Sequence, residues 1–325
     1  MINIAVQALA VVGFLLLVSL CYRLLSFIWF YRLRRTSVQQ YLHDDSSAYA
    51  LITGASDGIG RAVAQELYDK GFNLIIHGRN EDKVRGVAED LRARGSQDVQ
   101  YFIADAENSG HDFAQLIKPL KRLNVTLVVH NVGGTIMSRE RHAHPSSPHI
   151  PYTMIDGLSE ADLQSIVTRN AFFPLFLTRA LLPQLRLSAI SGPVLVQFVG
   201  SQTADIAPPR LPVYSASKAF LRALARGLDN DERFWGAPTG VRFAYLALGE
   251  VRTHTHDSAH SATSPSAESL AQALVARIGC GKRAYTPYMW HAILQWLLGF
   301  LPETTVDDYA AEAMAEVFAR RKKAA

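Results

Sequence analysis

The sequence predicts an α/β protein: a single domain on a doubly wound parallel sheet, preceded by an N-terminal transmembrane helix. Three observations carry this. Short apolar runs alternate with amphipathic segments of helical period between positions 49 and 246. A glycine-rich turn, Thr53-Gly54-Ala55-Ser56-Asp57-Gly58-Ile59-Gly60, joins the first run to the first amphipathic segment. Residues 2–22 contain no charged side chain.

As a helix, residues 2–22 would span about 32 Å at ~1.5 Å per residue, matching a hydrocarbon core of ~30 Å. A cleaved signal peptide would need a basic start and a shorter apolar run, and this segment has neither. Arg23, Arg32, Arg34 and Arg35 all follow the span, so the positive-inside rule puts the rest of the chain in the cytosol. Trp29, Phe30 and Tyr31 would lie at the interface. The expected organisation is an anchor and basic flank over 1–35, a linker over 36–47, the sheet domain over 48–302, and a C-terminal helix and tail over 303–325.

Residues 49–52 read as a buried strand, and 59–70 as a helix closed by Gly71. A strand follows at 73–77. Asn80 caps a helix over 81–94 that stops at Gly95. Residues 99–104 form a strand ending at Asp105, 112–123 a helix, and 126–130 a strand running into Asn131. Ser159-Glu160-Ala161-Asp162 resembles a capping box and starts a long helix to 182, in which Pro174 predicts a kink just after Asn170. A strand over 193–199 leads to Ser201, a helix covers 214–234, and a strand covers 241–246. Thr53, Asp105, Asn131 and Ser201 all fall at carboxyl ends of strands, where ligands bind in such sheets.

The chemistry is concentrated in Tyr214-Ser215-Ala216-Ser217-Lys218, with Ser201 thirteen positions before the tyrosine. On a helix Tyr214 and Lys218 are i and i+4 and share a face. An ammonium beside a phenol favours the phenolate and lowers a pKa normally near ~10. Ser201 could hydrogen-bond a carbonyl that receives the proton. The glycines allow a tight turn and close approach of backbone to a pyrophosphate at a helix N-terminus. Their spacing is G-x-x-x-G-x-G, not the generic G-x-G-x-x-G.

These elements in this order, TGASDGIG at 53–60, Asp105, Asn131-Val132-Gly133, Asn170, Ser201 and YSASK, resemble the short-chain dehydrogenase/reductase family over about 48–290. The resemblance implies a Rossmann-type fold and a catalytic tetrad of Asn170, Ser201, Tyr214 and Lys218. It further implies a nicotinamide cofactor held by Gly54, Ser56, Asp57, Gly58, Ile59, Gly60, Arg79, Asp105, Asn131, Tyr214, Lys218, Val251 and Thr253. The Asn-Val-Gly triplet, the Asp-Gly-Ile-Gly turn and the aromatic-rich stretch after Ile278-Gly279 are similar to one branch. That branch holds the membrane-bound very-long-chain 3-oxoacyl-CoA reductases and the related 17β-hydroxysteroid dehydrogenases.

The second strand ends His77-Gly78-Arg79, with no carboxylate before Glu81. An acidic residue there would bond a ribose 2′-hydroxyl, whereas arginine suits a 2′-phosphate, so NADPH is the expected cofactor. In the implied mechanism Ser201 polarises the ketone oxygen, Tyr214 protonates it, Lys218 tunes the phenol, and Asn170 holds a water that refills the proton. The leading substrate is a long-chain 3-oxoacyl-CoA. A steroid, terpenoid or polyketide ketone is the alternative, and a non-catalytic nucleotide-binding protein a remote one. A homodimer through the two long helices is expected.

The net charge of +4 is scattered, and Lys and Arg do not cluster with aromatics, which argues against nucleic-acid binding. Cys21 and Cys280 exclude a disulfide framework. Residues 134–157 form a long loop, read as an insertion. His142, His144 and His149 in it lack the companions a metal site needs, so no metal is expected. Residues 248–265, with His254, His256 and His260, read as a lid; Leu248-Gly249 stands where the family pattern has Pro-Gly. Residues 290–301 are apolar but too short to span a bilayer, so they form a core helix or an interfacial one. The terminal Lys322-Lys323 resembles a dilysine signal for retrieval to the endoplasmic reticulum; it equally supplies cations to a helix C-terminus.

Overall fold

A computed structural model describes residues 2–43, 47–135, 154–253 and 261–324. The chain divides into two compact units, Met1–Thr36 and Ser37–Ala325. In the first, helix α1 (Ile2–Ile28) continues into a π-helical turn, Trp29–Leu33. The stretch Asn3–Leu33 is long and apolar enough to cross a membrane, with a mean hydropathy of 2.6 in its most apolar window.

The second unit is built on seven parallel strands in the order β3-β2-β1-β4-β5-β6-β7. They are β1 (Ala48–Thr53), β2 (Asn73–Gly78), β3 (Val99–Ile103), β4 (Asn124–His130), β5 (Val194–Val199), β6 (Val241–Leu246) and β7 (Ala284–Tyr285). All residues of β5 are buried, as expected of a strand covered on both faces. Strand order reverses between β1 and β4, so the crevice between their carboxyl ends is the switch point where ligands bind in such sheets.

Side chains cap the helix starts, the cap at Asn80 as predicted and one at Asp57 in addition. Asp57 accepts from the Gly58 N–H at 2.7 Å to start α2 (Gly58–Asp69), and the Asn80 side chain accepts from Lys83 N–H at 2.9 Å to start α3 (Glu81–Arg92). The helix expected over 112–123 is shorter. Asp112 caps α4 (Phe113–Leu116), but Pro119 lacks an N–H and diverts the chain into a 3₁₀ turn, Lys118–Leu120. Gln184 then donates to the Leu120 and Leu123 carbonyls at 2.8 and 2.6 Å.

Ser159 caps α5 (Glu160–Val167), accepting from the Asp162 N–H. The kink expected at Pro174 takes the form of a π-helical turn, Thr168–Phe172, before α6 (Phe173–Ser188). That helix runs past Pro183, six residues beyond its expected end at 182. Phe173, Leu177, Leu181 and Leu185 make one buried stripe. Burying each side chain contributes about 1.5–3 kcal/mol, enough to offset a proline cost of about 3 kcal/mol. The remaining helices are α7 (Thr203–Ile206), α8 (Pro212–Phe234), α9 (Ala267–Val275), α10 (Met289–Leu298) and α11 (Glu303–Ala324). Helix α10 is not a core helix: His291 is its one buried residue, and Trp290, Trp296 and Leu297 are exposed.

Residues 37–43, read as linker, are an integral part of the second unit. Ser37 donates to the Ile278 and Gly279 carbonyls at 3.0 and 3.1 Å. Thr126 of β4 donates to the Tyr41 carbonyl at 2.5 Å, and His43 Nε2 pairs with the Pro193 carbonyl at 3.1 Å. Val38 and Tyr41 are buried between these bonds.

Candidate active site

Thr53 ends β1, and its hydroxyl accepts from the backbone N–H groups of Asn131 and Val132, both at 3.0 Å. Asn131 returns the link: its amide donates to the Thr53 and Gly54 carbonyls at 3.2 Å. The switch point is therefore stitched shut at its base. Gly54 and Gly58 take φ of +67° and +53°, which favours glycine. A Cβ on Gly60 would lie 2.6 Å from Asn131 Nδ2, so α2 approaches the turn as only glycine allows. Ser56 lies beside Gly78. Ile59 opens the first turn of α2, whose N–H groups form an anion site. This cradle fits the pyrophosphate of a dinucleotide.

Arg79 is exposed at the end of β2, and among the described residues no carboxylate pairs with it. Asp105 is exposed just past β3, its carboxylate accepting from the Glu107 N–H at 3.0 Å. Val251 is buried in the segment after β6, and Thr253 Cγ2 would lie 3.3 Å from a Cβ on Gly58. That segment therefore crosses from the end of β6 to the glycine turn.

The expected tetrad converges on the ends of β4 and β5. Tyr214 and Lys218 lie on α8, with the ammonium 5.7 Å from the phenol ring centroid. The Tyr214 phenol lies near enough to the Ser201 side chain for the serine to act on its pKa. Lys218 Nζ is buried and donates to the Val199 carbonyl at 2.9 Å. Asn170 is fully buried in the π turn: its amide donates to the Gly134 and Ile166 carbonyls and accepts from the Gly134 N–H, each at 2.9 Å. That side chain is committed to the backbone. Pro174, four residues on, lacks the N–H that an α-helix would bring to the Asn170 carbonyl.

The electrostatics depart from expectation. Burial pushes the Tyr214 phenol above its usual value; the Ser201 hydrogen bond and the Arg169 charge oppose this without cancelling it. The charge that opposes burial at the phenol is that of Arg169. Burial, with repulsion from Arg169 second, drops Lys218 itself to about 8. Arg169 went unnoticed in the sequence. It pairs with Glu107 at 2.6 Å, both side chains largely buried, and donates to the Gly134 and Thr135 carbonyls at 2.9 and 3.2 Å. Its adjacency to Asn170 was the available signal.

Two more residues were missed. Tyr245 of β6 accepts from the Ser201 N–H and donates to the Ser201 carbonyl, both at 2.9 Å. Its ring occupies the space a side chain on Gly200 would need. His77 of β2 accepts from the Gly54 N–H at Nδ1 (3.3 Å) and donates from Nε2 to the Ala104 carbonyl at 3.0 Å. Burial lowers its pKa to about 4, so the imidazole is neutral. Among the described residues no group of histidine, cysteine and carboxylate side chains could hold a metal. His142, His144, His149, His254, His256 and His260 lie outside the described residues.

The short chain dehydrogenase family model matches residues 48–264. The chain is 31% identical over 258 residues to a very-long-chain 3-oxoacyl-CoA reductase of Pyricularia oryzae, covering 77% of this chain and 71% of the relative. A Kluyveromyces lactis protein of the same name is 30% identical over 275 residues, covering 81% and 73%. Among solved structures, a short-chain dehydrogenase from Sphingobium yanoikuyae in complex with NADPH superposes with a TM-score of 0.62 at 20% identity, over 77% of this chain and 91% of that one. An alcohol dehydrogenase from Thermococcus sibiricus complexed with 5-hydroxy-NADP gives 0.60 at 21%, over 74% and 94%. With the switch-point cradle, the Ser201–Tyr214 pair and a family match over most of the sheet unit, this chain belongs to the short-chain dehydrogenase/reductase family of oxidoreductases.

Proposed function

We propose that this protein is a membrane-anchored reductase that uses NADPH to convert the ketone of a long-chain 3-oxoacyl-CoA to an alcohol. The observation that carries the chemistry is the convergence of Ser201, Tyr214 and Lys218 beside the ends of β4 and β5, with the phenol pushed above its usual value by burial. A protonated phenol is the form that donates, which suits reduction. Bound in the cradle, a reduced nicotinamide supplies the hydride to the carbonyl carbon. Ser201 donates a hydrogen bond to the substrate oxygen, and Tyr214 passes its proton to that oxygen. Lys218, its pKa lowered to about 8 by burial, can return a proton toward the phenol, and the Asn170 carbonyl can hold the water that follows.

The exposed guanidinium of Arg79 supports a 2′-phosphate and hence NADPH. The named relatives support the 3-oxoacyl-CoA substrate. The apolar stretch Asn3–Leu33 supports an anchor, and the arginines that follow it support a cytosolic catalytic unit. The terminal Lys322-Lys323 supports residence in the endoplasmic reticulum membrane. Exposed Phe176 on α6 and Phe220 on α8 support a homodimer through those helices.

Cofactor oxidation by the full-length protein tests the reading. NADPH should be consumed with a long-chain 3-oxoacyl-CoA faster than with a steroid ketone, and faster than NADH with either. Faster turnover of the steroid transfers the assignment to the ketone reductases of secondary metabolism; a preference for NADH removes the role of Arg79.

A further inference from the structure

His291 is the one buried residue of α10, a helix otherwise half exposed. Its ring faces the chain that leaves β6. The Gly249 N–H donates to Nδ1 at 3.1 Å. A backbone N–H can only donate, so Nδ1 is the acceptor and Nε2 carries the proton. Nε2 then donates to the carbonyls of Glu250 at 3.0 Å and Thr263 at 3.1 Å. One imidazole thus holds both described ends of the segment after β6. Gly249 is demanded by this contact, because a Cβ there would lie 2.7 Å from His291 Cδ2.

The clasp is tied into the site on both sides. Gln202, next to Ser201, donates from Nε2 to the His291 carbonyl at 2.9 Å, and its N–H donates to the Leu248 carbonyl at 2.8 Å. Farther along, the Arg252 N–H bonds the Pro265 carbonyl at 2.9 Å, and Thr253 comes against Gly58. The backbone from 249 to 253 is a strap running from Ser201 to the cradle. Leu248 cannot stiffen the start of this strap as a proline would.

We propose that His291 is a positioning residue that holds this strap in register over the cofactor cleft. The inference rests on the proposed NADPH reading. It predicts that the imidazole sets cofactor affinity more than the rate of the chemical step.

The test uses full-length protein with three substitutions. His291→Phe keeps the ring and removes every hydrogen bond; His291→Asn keeps an acceptor near Gly249 but is too short for Glu250 and Thr263; His291→Gln does the reverse. Amide exchange over 249–253 and 261–266 is followed without cofactor, and NADPH affinity is measured by fluorescence. His291→Phe should speed exchange in both stretches by about tenfold or more and weaken NADPH binding by about tenfold, with kcat/KM for NADPH falling more than kcat. His291→Asn should restore protection at Gly249 only. Unchanged exchange in His291→Phe and His291→Asn overturns the clasp, whatever the cofactor. Loosened exchange with unchanged NADPH affinity overturns its role at the cofactor. A parent protein that fails to bind NADPH overturns the cofactor reading instead, and is recognised separately because exchange is read in its absence. The smaller, still polar His291→Asn carries the test where His291→Phe does not fold.

Discussion

On the β1–β2–β3 flank of the cleft, His77 binds Gly54 through Nδ1 and Ala104 through Nε2; on the β6–β7 flank, His291 binds Gly249 through Nδ1 and Glu250 and Thr263 through Nε2. Two buried neutral imidazoles hold a glycine N–H and a backbone carbonyl in the same way at opposite rims. Their settings differ. His77 sits in the sheet, its ring between Phe102 and Phe173, directly across from Thr53 in the strand register. His291 sits on a helix with an exposed apolar face and reaches the segment after β6. Strand register and side chains within the sheet fix the first rim together. The second rim depends on single side chains, Tyr245 and His291, brought in from far along the chain.

The largest effect should come from the group between the rims. Tyr214→Phe removes the proton donor and leaves the cradle untouched. Turnover should fall by about 10²–10⁴, with NADPH affinity retained. Turnover within threefold of the parent would show that the phenol is not the acid.

A smaller effect should expose the rigidity of the first rim. Burial lowers the His77 pKa to about 4, below an unfolded value of about 6.5. Between these values the unfolded chain binds more protons than the native one, so stability rises with pH there. The contribution is complete above about pH 6.5 and is lost as pH falls toward 4. It amounts to at most about 3 kcal/mol, from ~1.36 kcal/mol per pKa unit. His130, lowered to about 3 by burial, adds in the same sense. Denaturant midpoints at pH 7.5 and 4.5 measure the loss. His77→Gln keeps a donor and an acceptor without titrating, so it should shrink the acid loss. An unchanged loss would mean that other groups carry it.

The first rim was legible in the sequence and the second largely was not. The glycine turn announces itself because positive φ and close approach demand glycine at fixed spacings. The buried strands read to within two residues because both faces are covered. The tetrad residues were legible as types at fixed spacings, and the structure brings Ser201, Tyr214, Lys218 and Asn170 together. Their electrostatics were not, because burial and the Arg169 charge are tertiary properties. The backbone bonds of the Asn170 side chain were not legible for a related reason: Gly134 lies 36 positions away. Tyr245 and His291 bond backbone groups 44 and 42 positions from themselves, and backbone groups have no residue signature. The helix over 112–123 failed because Pro119 was outweighed by apolar periodicity. The end set at 182 failed because the buried stripe of α6 continues through Pro183.

The smallest effect should come from Tyr245→Phe, and it separates the rims most cleanly. The change deletes one hydroxyl and leaves the ring that lies on Gly200. That hydroxyl satisfies both the N–H and the carbonyl of Ser201, in a residue that is nearly buried. Burial raises its pKa to about 12, so it acts as a fixed strut and takes no part in proton transfer. Leaving a buried polar group unpaired costs about 1–3 kcal/mol, and stability should fall by that order. Ser201 then loses its anchor, and its hydroxyl must still meet Tyr214 and the substrate oxygen. Misplacement of such a group lowers kcat, by about tenfold here, since only orientation is lost. NADPH affinity should hardly move, because the cradle is set by β1, β2 and β4. Equal losses in cofactor affinity and kcat would show that the two rims are one coupled structure and that the contrast between them is false.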